Sequence, residues 1–218
     1  WRFWRRRRLG GMVMTLLSEQ ELKQVAEAID TVEKDTDAEL VTVLARQADD
    51  YLYIPTLWAA IIALLLPLIL KLTPFWLSGD ELLMLQWFNF VALALLFRVP
   101  AATMALVPKS VKHWRAASLA RRQFLEHNLH HTKGETGVLI FISEAEHYVE
   151  IIADRGISRH VSNDQWQAIV NELTSRIRNK QTLNGIVRCI EACGEKLKQH
   201  APATEAKNEL PNHLIVIN

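Results

Sequence analysis

Residues 136–157 read TGVLIFISEAEHYVEIIADRGI, Thr136 to Ile157, and the reading of this stretch decides the fold. It holds two short apolar runs, Val138–Ser143 and Tyr148–Ala153. Both are rich in the Val, Ile, Phe and Tyr that suit a pleated surface. The link between them, Glu144-Ala145-Glu146-His147, is short and polar. The pattern predicts a β-hairpin in the centre of a soluble domain. The second run ends in Ala153-Asp154-Arg155-Gly156-Ile157, an acidic turn just past a buried strand.

Elements on either side complete an α/β pattern. Upstream, Ser18 with Glu21 three residues on forms a capping box. Leu22, Val25, Ile29 and Val32 then recur at helical spacing. Thr36-Asp37 breaks the helix, and Glu39–Arg46 (ELVTVLAR) has the composition of a strand. Downstream, Ser162 or Asn163 caps a helix whose buried face is Trp166, Ile169, Val170, Leu173 and Ile177. Asn179–Asn184 reads as a turn and Gly185–His200 as the last helix. Cys189 and Cys193 are the only cysteines, spaced i, i+4 on that helix. They share a face and read as buried reduced thiols, which suits a cytosolic domain. Ala201–Pro211 is a polar linker. The terminal Leu214-Ile215-Val216-Ile217 is expected to dock as an added strand or against a helix, because a free apolar run of this kind aggregates.

Between the first strand and the basic helix lies a different kind of sequence. Half of the 218 residues are hydrophobic, and they concentrate in Tyr51–Val107. Tyr51–Leu70 runs 20 residues without a charge. At about 1.5 Å per residue it spans a hydrocarbon core of ~30 Å. It is apolar all round, unlike the helices of soluble domains. Tyr51, Tyr53 and Trp58 lie towards one end, where interfacial aromatics belong. Leu82–Phe97 is a second uncharged run of 16, and Arg98 behind it is placed to snorkel to headgroups. The two runs predict a transmembrane hairpin. The loop between them carries one Lys, whereas Arg98, Lys109, Lys112, Arg115, Arg121 and Arg122 follow the second run. The positive-inside rule then puts both termini in the cytoplasm.

Lys109–Leu129 reads as a long basic helix with a loose apolar stripe of Val111, Trp114, Leu125 and Leu129. With the membrane one step upstream, its basic residues Lys109, Lys112, Arg115, Arg121 and Arg122 are expected to face anionic lipid. Lys plus Arg is 25 and Asp plus Glu is 24, so net charge argues neither for nor against nucleic acid; the charge of this helix alone would allow it, but lipid contact is the better motivated and no nucleic-acid partner is expected. His127 and His131 stand i, i+4 at the end of this helix, a spacing that holds Zn²⁺ when further ligands join. Histidines near a helix C-terminus also suit the macrodipole. Residues 1–17 are expected to be a basic extension foreign to the fold, with Met12 or Met14 as the natural start, and a basic arm touching anionic headgroups is the alternative.

The order of these elements and motifs resembles the TPM domain family. The resemblance rests on Thr136-Gly137-Val138, Ala153-Asp154-Arg155-Gly156-Ile157, Trp166 and Gly194, with Asn208-Glu209-Leu210-Pro211 near the end. It runs from about Ser18 to the C-terminus and is nearest to the bacterial subgroup with a membrane hairpin inserted after the first strand. It implies an α/β/α sandwich around a small sheet. Some plant members are linked to acid phosphatase activity and photosystem repair, and some animal members to receptor association.

The expected fold is a three-layer α/β/α domain around a small mixed sheet, interrupted by a two-helix transmembrane hairpin. The domain would comprise residues 18–50 and 108–218, with 51–107 inserted between them. The expected function is a cytoplasmic protein-interaction or scaffolding module of a multi-pass inner-membrane protein, contacting lipid and a protein partner or a second copy. No Gly-rich phosphate loop, Gly-x-Ser-x-Gly elbow or His-Glu-x-x-His motif points to catalysis. The alternative is a phosphatase-like hydrolase, with Asp154 as metal ligand or acid helped by Asp49, Asp50 or Glu146. A further alternative is a divalent-ion site for Ca²⁺ or Mg²⁺, for which Asp154, Asp49 and Asp50 are the oxygen ligands to consider. Arg155 and Gly156 belong to the family-like turn. No cofactor is expected beyond such an ion.

Overall fold

A computed structural model describes residues 17–74, 77–132, 134–204 and 214–217. Residues 1–16 of the basic extension and the family-like Asn208–Pro211 lie outside the described residues, whereas Leu17, at the end of the extension, is buried. The chain is mixed α/β with a four-stranded sheet in the order β3-β2-β1-β4. The strands are β1 (Leu40–Ala45), β2 (Val138–Ser143), β3 (Tyr148–Ala153) and β4 (Leu214–Ile217). Both strands of the central hairpin thus have the bounds read from sequence.

Hydrogen bonds set the register. The Val138 amide donates to the Glu39 carbonyl at 2.8 Å and the Glu144 amide to the Ala45 carbonyl at 2.9 Å, so β1 and β2 advance together. Parallel neighbours need a long crossover, which the whole of residues 46–137 supplies. β2 and β3 form the antiparallel hairpin, closed at its open end by the Asp154 amide on the Gly137 carbonyl at 2.9 Å. Every residue of β1 and β2 is buried, so both faces of these strands are covered, whereas β3 at the edge is half-buried throughout. Leu139, Ile140 and Phe141 are completely sealed. Each such side chain contributes about 1.5–3 kcal/mol of burial free energy. The C-terminal run docks as the added strand, with the Arg46 amide on the Ile217 carbonyl at 2.8 Å.

The chain divides into two compact units. The first comprises Trp1–Val41, His130–Val138 and Ala153–Ile215. It contains α1 (Glu19–Glu33), with the Ser18–Glu21 capping box in place and Val25 and Ile29 buried. Its α7 (Asn163–Arg178) and α8 (Thr182–His200) pack together, and α8 also packs on α1. A Cβ on Gly194 would stand 2.6 Å from a Val32 methyl, so this glycine sets how closely α1 and α8 approach. Helix α8 starts three residues before the expected Gly185, because Gly185 is itself buried against Leu173 and Arg176. Cys189 and Cys193 are free and buried on its inner face, as the spacing indicated.

Asp154-Arg155-Gly156 is the start of a short helix, α6 (Arg155–Ser158), rather than a plain turn. Asp154 is its N-cap, accepting from the Arg155 amide at 2.8 Å. The adjoining Gly156 amide donates to the Glu135 carbonyl at 2.9 Å. A Cβ at position 156 would lie 2.1 Å from the Gly134 carbonyl oxygen. Backbone meets backbone there, and only glycine fits.

The second unit comprises Thr42–Leu129, Leu139–Ile152 and Val216–Asn218. It holds α2 (Tyr53–Lys71), α3 (Gly79–Leu96), α4 (Pro100–Leu106) and α5 (Lys109–Glu126). Behind α3, the segment Pro100–Leu106 folds as α4 with Pro100 at its first position, and it packs on α2.

Candidate membrane interface

Helices α2 and α3 pack on each other and are both long and apolar enough to cross a membrane. At about 1.5 Å per residue each is ~27–28 Å long, close to the thickness of a hydrocarbon core. Ser78 and Glu81 form a capping box that starts α3, with the Ser78 amide on Glu81 Oε2 at 2.8 Å. The sequence reading missed this box and began the helix three residues late, at Leu82. Small residues give α2 its inner face: Ala59 and Ala63, one turn apart, are buried. Outward, Leu64, Met84 and Phe88 are 72%, 76% and 72% exposed. No residue of α3 is buried. Apolar surface of this extent on helices of this length is suited to lipid rather than water.

The hairpin is tied down at both its ends. Tyr51, grouped on sequence with the interfacial aromatics, is instead completely buried. Its ring packs in a small cluster with Ile54 and Val107, flanked by Met104 and Val111. Its hydroxyl donates to Glu146 Oε1 at 2.8 Å. The same oxygen accepts the Ala48 amide at 3.0 Å, and Oε2 accepts the Ser143 hydroxyl. Glu146 is only 3% exposed, so a buried carboxylate is held by three donors from two directions. Tyr51 and His147 both adopt left-handed backbone, φ 52° and 50°. For bulky residues that conformation is strained and persists only when the surroundings enforce it. Here the His147 amide closes the β2–β3 link on the Glu144 carbonyl at 3.1 Å, and the Tyr51 carbonyl accepts the Ile54 amide at 3.3 Å while its ring is buried.

Beside this node Arg115 pairs with Asp49 at 3.0 Å and donates to the Tyr53 hydroxyl at 3.3 Å. Its guanidinium lies 4.9 Å from the centre of the Trp114 ring and 5.7 Å from that of Tyr53. Of the five basic residues assigned to lipid, Arg115 therefore spends its charge within the protein. Lys109, Arg121 and Arg122 are exposed and Lys112 half-exposed. The inward face of α5 is Ala116, Ala120, Gln123 and Phe124. The stripe expected from sequence holds only in part: Leu129 is buried and Val111 packs on the Tyr51 cluster, whereas Trp114 and Leu125 are 60% and 56% exposed. Small alanines allow close approach, and a reading by large apolar residues overlooks them.

The other sequence candidates fall as follows. Asp49 is engaged by Arg115, Asp50 is exposed, and Asp154 caps α6. Helix α5 ends at Glu126 and Asn128 is left-handed (φ 55°), so His127 and His131 do not share a helix face. His127 Nε2 instead meets Gln123 Oε1 at 3.0 Å, and burial pushes its imidazole pKa down. Among the described residues no three His, Cys, Asp or Glu side chains come together to hold a metal ion.

One acidic cleft in the first unit went unread in the sequence. It encloses about 270 Å³ between Asp30, Glu33, Lys34, Thr36, Asp37, Ala38, Glu39 and Ala203. Glu33 Oε1 accepts the Leu40 amide at 3.2 Å. Burial pushes the Glu33 carboxyl up to about 8, against that hydrogen bond and with help from Glu39 and Asp30. The group is therefore a neutral acid through the neutral range. The signal was a spacing of acids across the α1–β1 turn, which looks like an ordinary solvated face until the fold closes over it.

Three comparisons with known proteins bear on this geometry. Residues 102–196 match the family model of the TPM domain. That span begins in α4 and ends in α8, and it contains β2, β3 and the Asp154-Arg155-Gly156 motif but neither α2 nor α3. The NMR structure of the BA42 protein from the psychrophilic bacterium Bizionia argentinensis is similar, with a TM-score of 0.57. At 18% identity over 94% of this chain and 97% of that one, the likeness is one of fold. No curated protein matches the chain.

Proposed function

The chain carries a TPM domain over residues 102–196, and from that premise we propose that it is an integral membrane protein whose TPM domain works as an interaction or scaffolding module at the membrane surface. The observation that carries this reading is the anchorage of the two apolar helices. A fully bonded buried carboxylate, Glu146, holds the residue just ahead of α2 to the link between β2 and β3. Such an attachment makes the hairpin part of the fold rather than a loose tether.

The excess of Lys and Arg after α3 supports a cytoplasmic domain with both termini on that side, at the inner membrane. The exposed Lys109, Arg121 and Arg122 then face anionic headgroups. Topology is tested with Ser78→Cys in intact cells. A membrane-impermeant thiol reagent labels it from outside if the reading holds, and labelling only after lysis overturns it. The module itself is tested by purification in mild detergent. Recovery of a stoichiometric protein partner or a self-complex is expected, and a protein that emerges alone and monomeric counts against the role.

A further inference from the structure

Trp114 and Leu125 on α5 are more than half exposed, although both are large and apolar. At about 100° per residue, Trp114, Ser118, Arg121 and Leu125 fall within about 60° of one another around the helix. Arg122 borders them, and the buried Ala116 and Ala120 lie on the opposite side. Arg121 and Arg122 are exposed and take part in no ion pair among the described residues. The only carboxylate of the helix, Glu126, accepts from Nε2 of the buried Gln123 at 2.8 Å. The outward stripe is therefore apolar and positive, with no acid in it.

The start of the first apolar helix meets α5 on this same side. Val111, about 60° from Trp114 around the helix, packs on the cluster of Tyr51, Ile54 and Val107. Ile54 lies in the first turn of α2. Arg115 donates to the hydroxyl of Tyr53, the first residue of α2, at 3.3 Å. Its guanidinium is 5.7 Å from the Tyr53 ring centre and 4.9 Å from that of Trp114. Trp114 thus stands close to the point where α2 begins. Trp and Tyr concentrate at that level of a bilayer, where an apolar ring with a polar edge meets both phases.

Resting on the reading of α2 and α3 as membrane spans, we propose that α5 lies in the headgroup layer of an anionic membrane, with Trp114 and Leu125 set into its apolar boundary. Arg121 and Arg122 pair with lipid phosphates, whose oxygens match the guanidinium fork. Large apolar residues flanked by arginines on one helix face are the composition that binds an interface in this way. Lipid then covers the two residues of the apolar stripe that protein leaves bare.

The test uses the full chain in vesicles of phosphatidylcholine with phosphatidylglycerol, with a fluorescent label at Leu125→Cys. Wild type treated alike supplies the blank, because Cys189 and Cys193 are buried. The label is expected to be quenched by lipid bearing a nitroxide near the headgroup and shielded from aqueous acrylamide. Each arginine should favour the docked over the free helix about fivefold, from the usual effect of one surface charge. Trp114→Ala, Arg121→Gln and Arg122→Gln together should therefore expose the label, and a triple variant as shielded as the parent overturns the proposal. Shielding that fades as the protein is diluted in lipid assigns the stripe to a second copy and also overturns it. A chain that resists alkaline carbonate, yet leaves the label as open to acrylamide as in the urea-unfolded state, overturns the proposal alone. A chain stripped by carbonate overturns the membrane reading and the proposal together.

Discussion

The Tyr51 hydroxyl donates to the Glu146 carboxylate at 2.8 Å, and both residues are sealed from solvent. The bond joins the chain just ahead of α2 to the polar link of the central hairpin. Tyr51→Phe removes it without changing ring packing. It leaves one fewer donor on a buried charge, worth about 1.5–3 kcal/mol. Chemical unfolding of the full-length protein in detergent should show that loss. A change below about 0.5 kcal/mol, the scatter of ordinary surface substitutions, would mean that the bond does not hold the anchor.

Gly156 meets the Gly134 carbonyl where a Cβ would be 2.1 Å from the oxygen. The contact is with backbone, so no flexible side chain can yield. Gly156→Ala should destabilise the domain by about 3 kcal/mol or more, at the upper end of overpacking costs. Thermal unfolding and soluble yield of the variant measure this. Near-wild-type stability would show that the 134–135 segment moves aside freely.

Asp154 offers a test of cap against metal ligand. As the N-cap of α6 it should tolerate Asn, which caps equally well, while Ala costs about 1 kcal/mol. Calorimetric titration with Ca²⁺ or Mg²⁺ supplies the second readout. If Asp154→Asn abolishes cation binding shown by the wild type, the carboxylate acts as a ligand and not only as a cap.

Glu33 makes stability depend on pH in an unusual direction for a carboxyl. Its folded value is raised from 4.5 to about 8, so between these pH values the folded state binds the extra proton and the unfolded state does not. The stability it contributes is complete below about 4.5 and falls as pH rises through 8. Glu33→Gln should flatten that part of the profile, read as the unfolding midpoint across the pH range. A wild-type profile that rises steadily from pH 5 to 8 would contradict the assignment.

Local chemistry made much of this fold legible. β2 and β3 announce themselves by two β-rich runs around a polar link, and the Ser18–Glu21 box starts α1 where the spacing says it should. Burial by alanine was not legible, because the inward face of α5 carries Ala116 and Ala120 and leaves Trp114 outside. Helix periodicity weighted by residue size therefore found Val111 and Leu129 but placed Trp114 and Leu125 inside as well. The i, i+4 spacing of His127 and His131 carried no geometry for a different reason. One left-handed residue, Asn128, ends the helix on which their spacing depended.

By itself the sequence determined which segments are strands and which are long and apolar enough to span a bilayer. Those properties follow from composition and period over a few neighbouring residues. Only the tertiary structure decided what Tyr51, Glu146, Glu33 and Asp49 do. Each takes its role from groups brought close by folding: Tyr51 and Glu146 are 95 positions apart, and Asp49 meets Arg115 across the whole inserted hairpin. For Glu33 even the partner on β1 is near in sequence, yet its neutral form depends on burial that no local pattern reveals. Whether a polar residue is solvated, paired or sealed is set by what packs over it, and that is a property of the assembled chain.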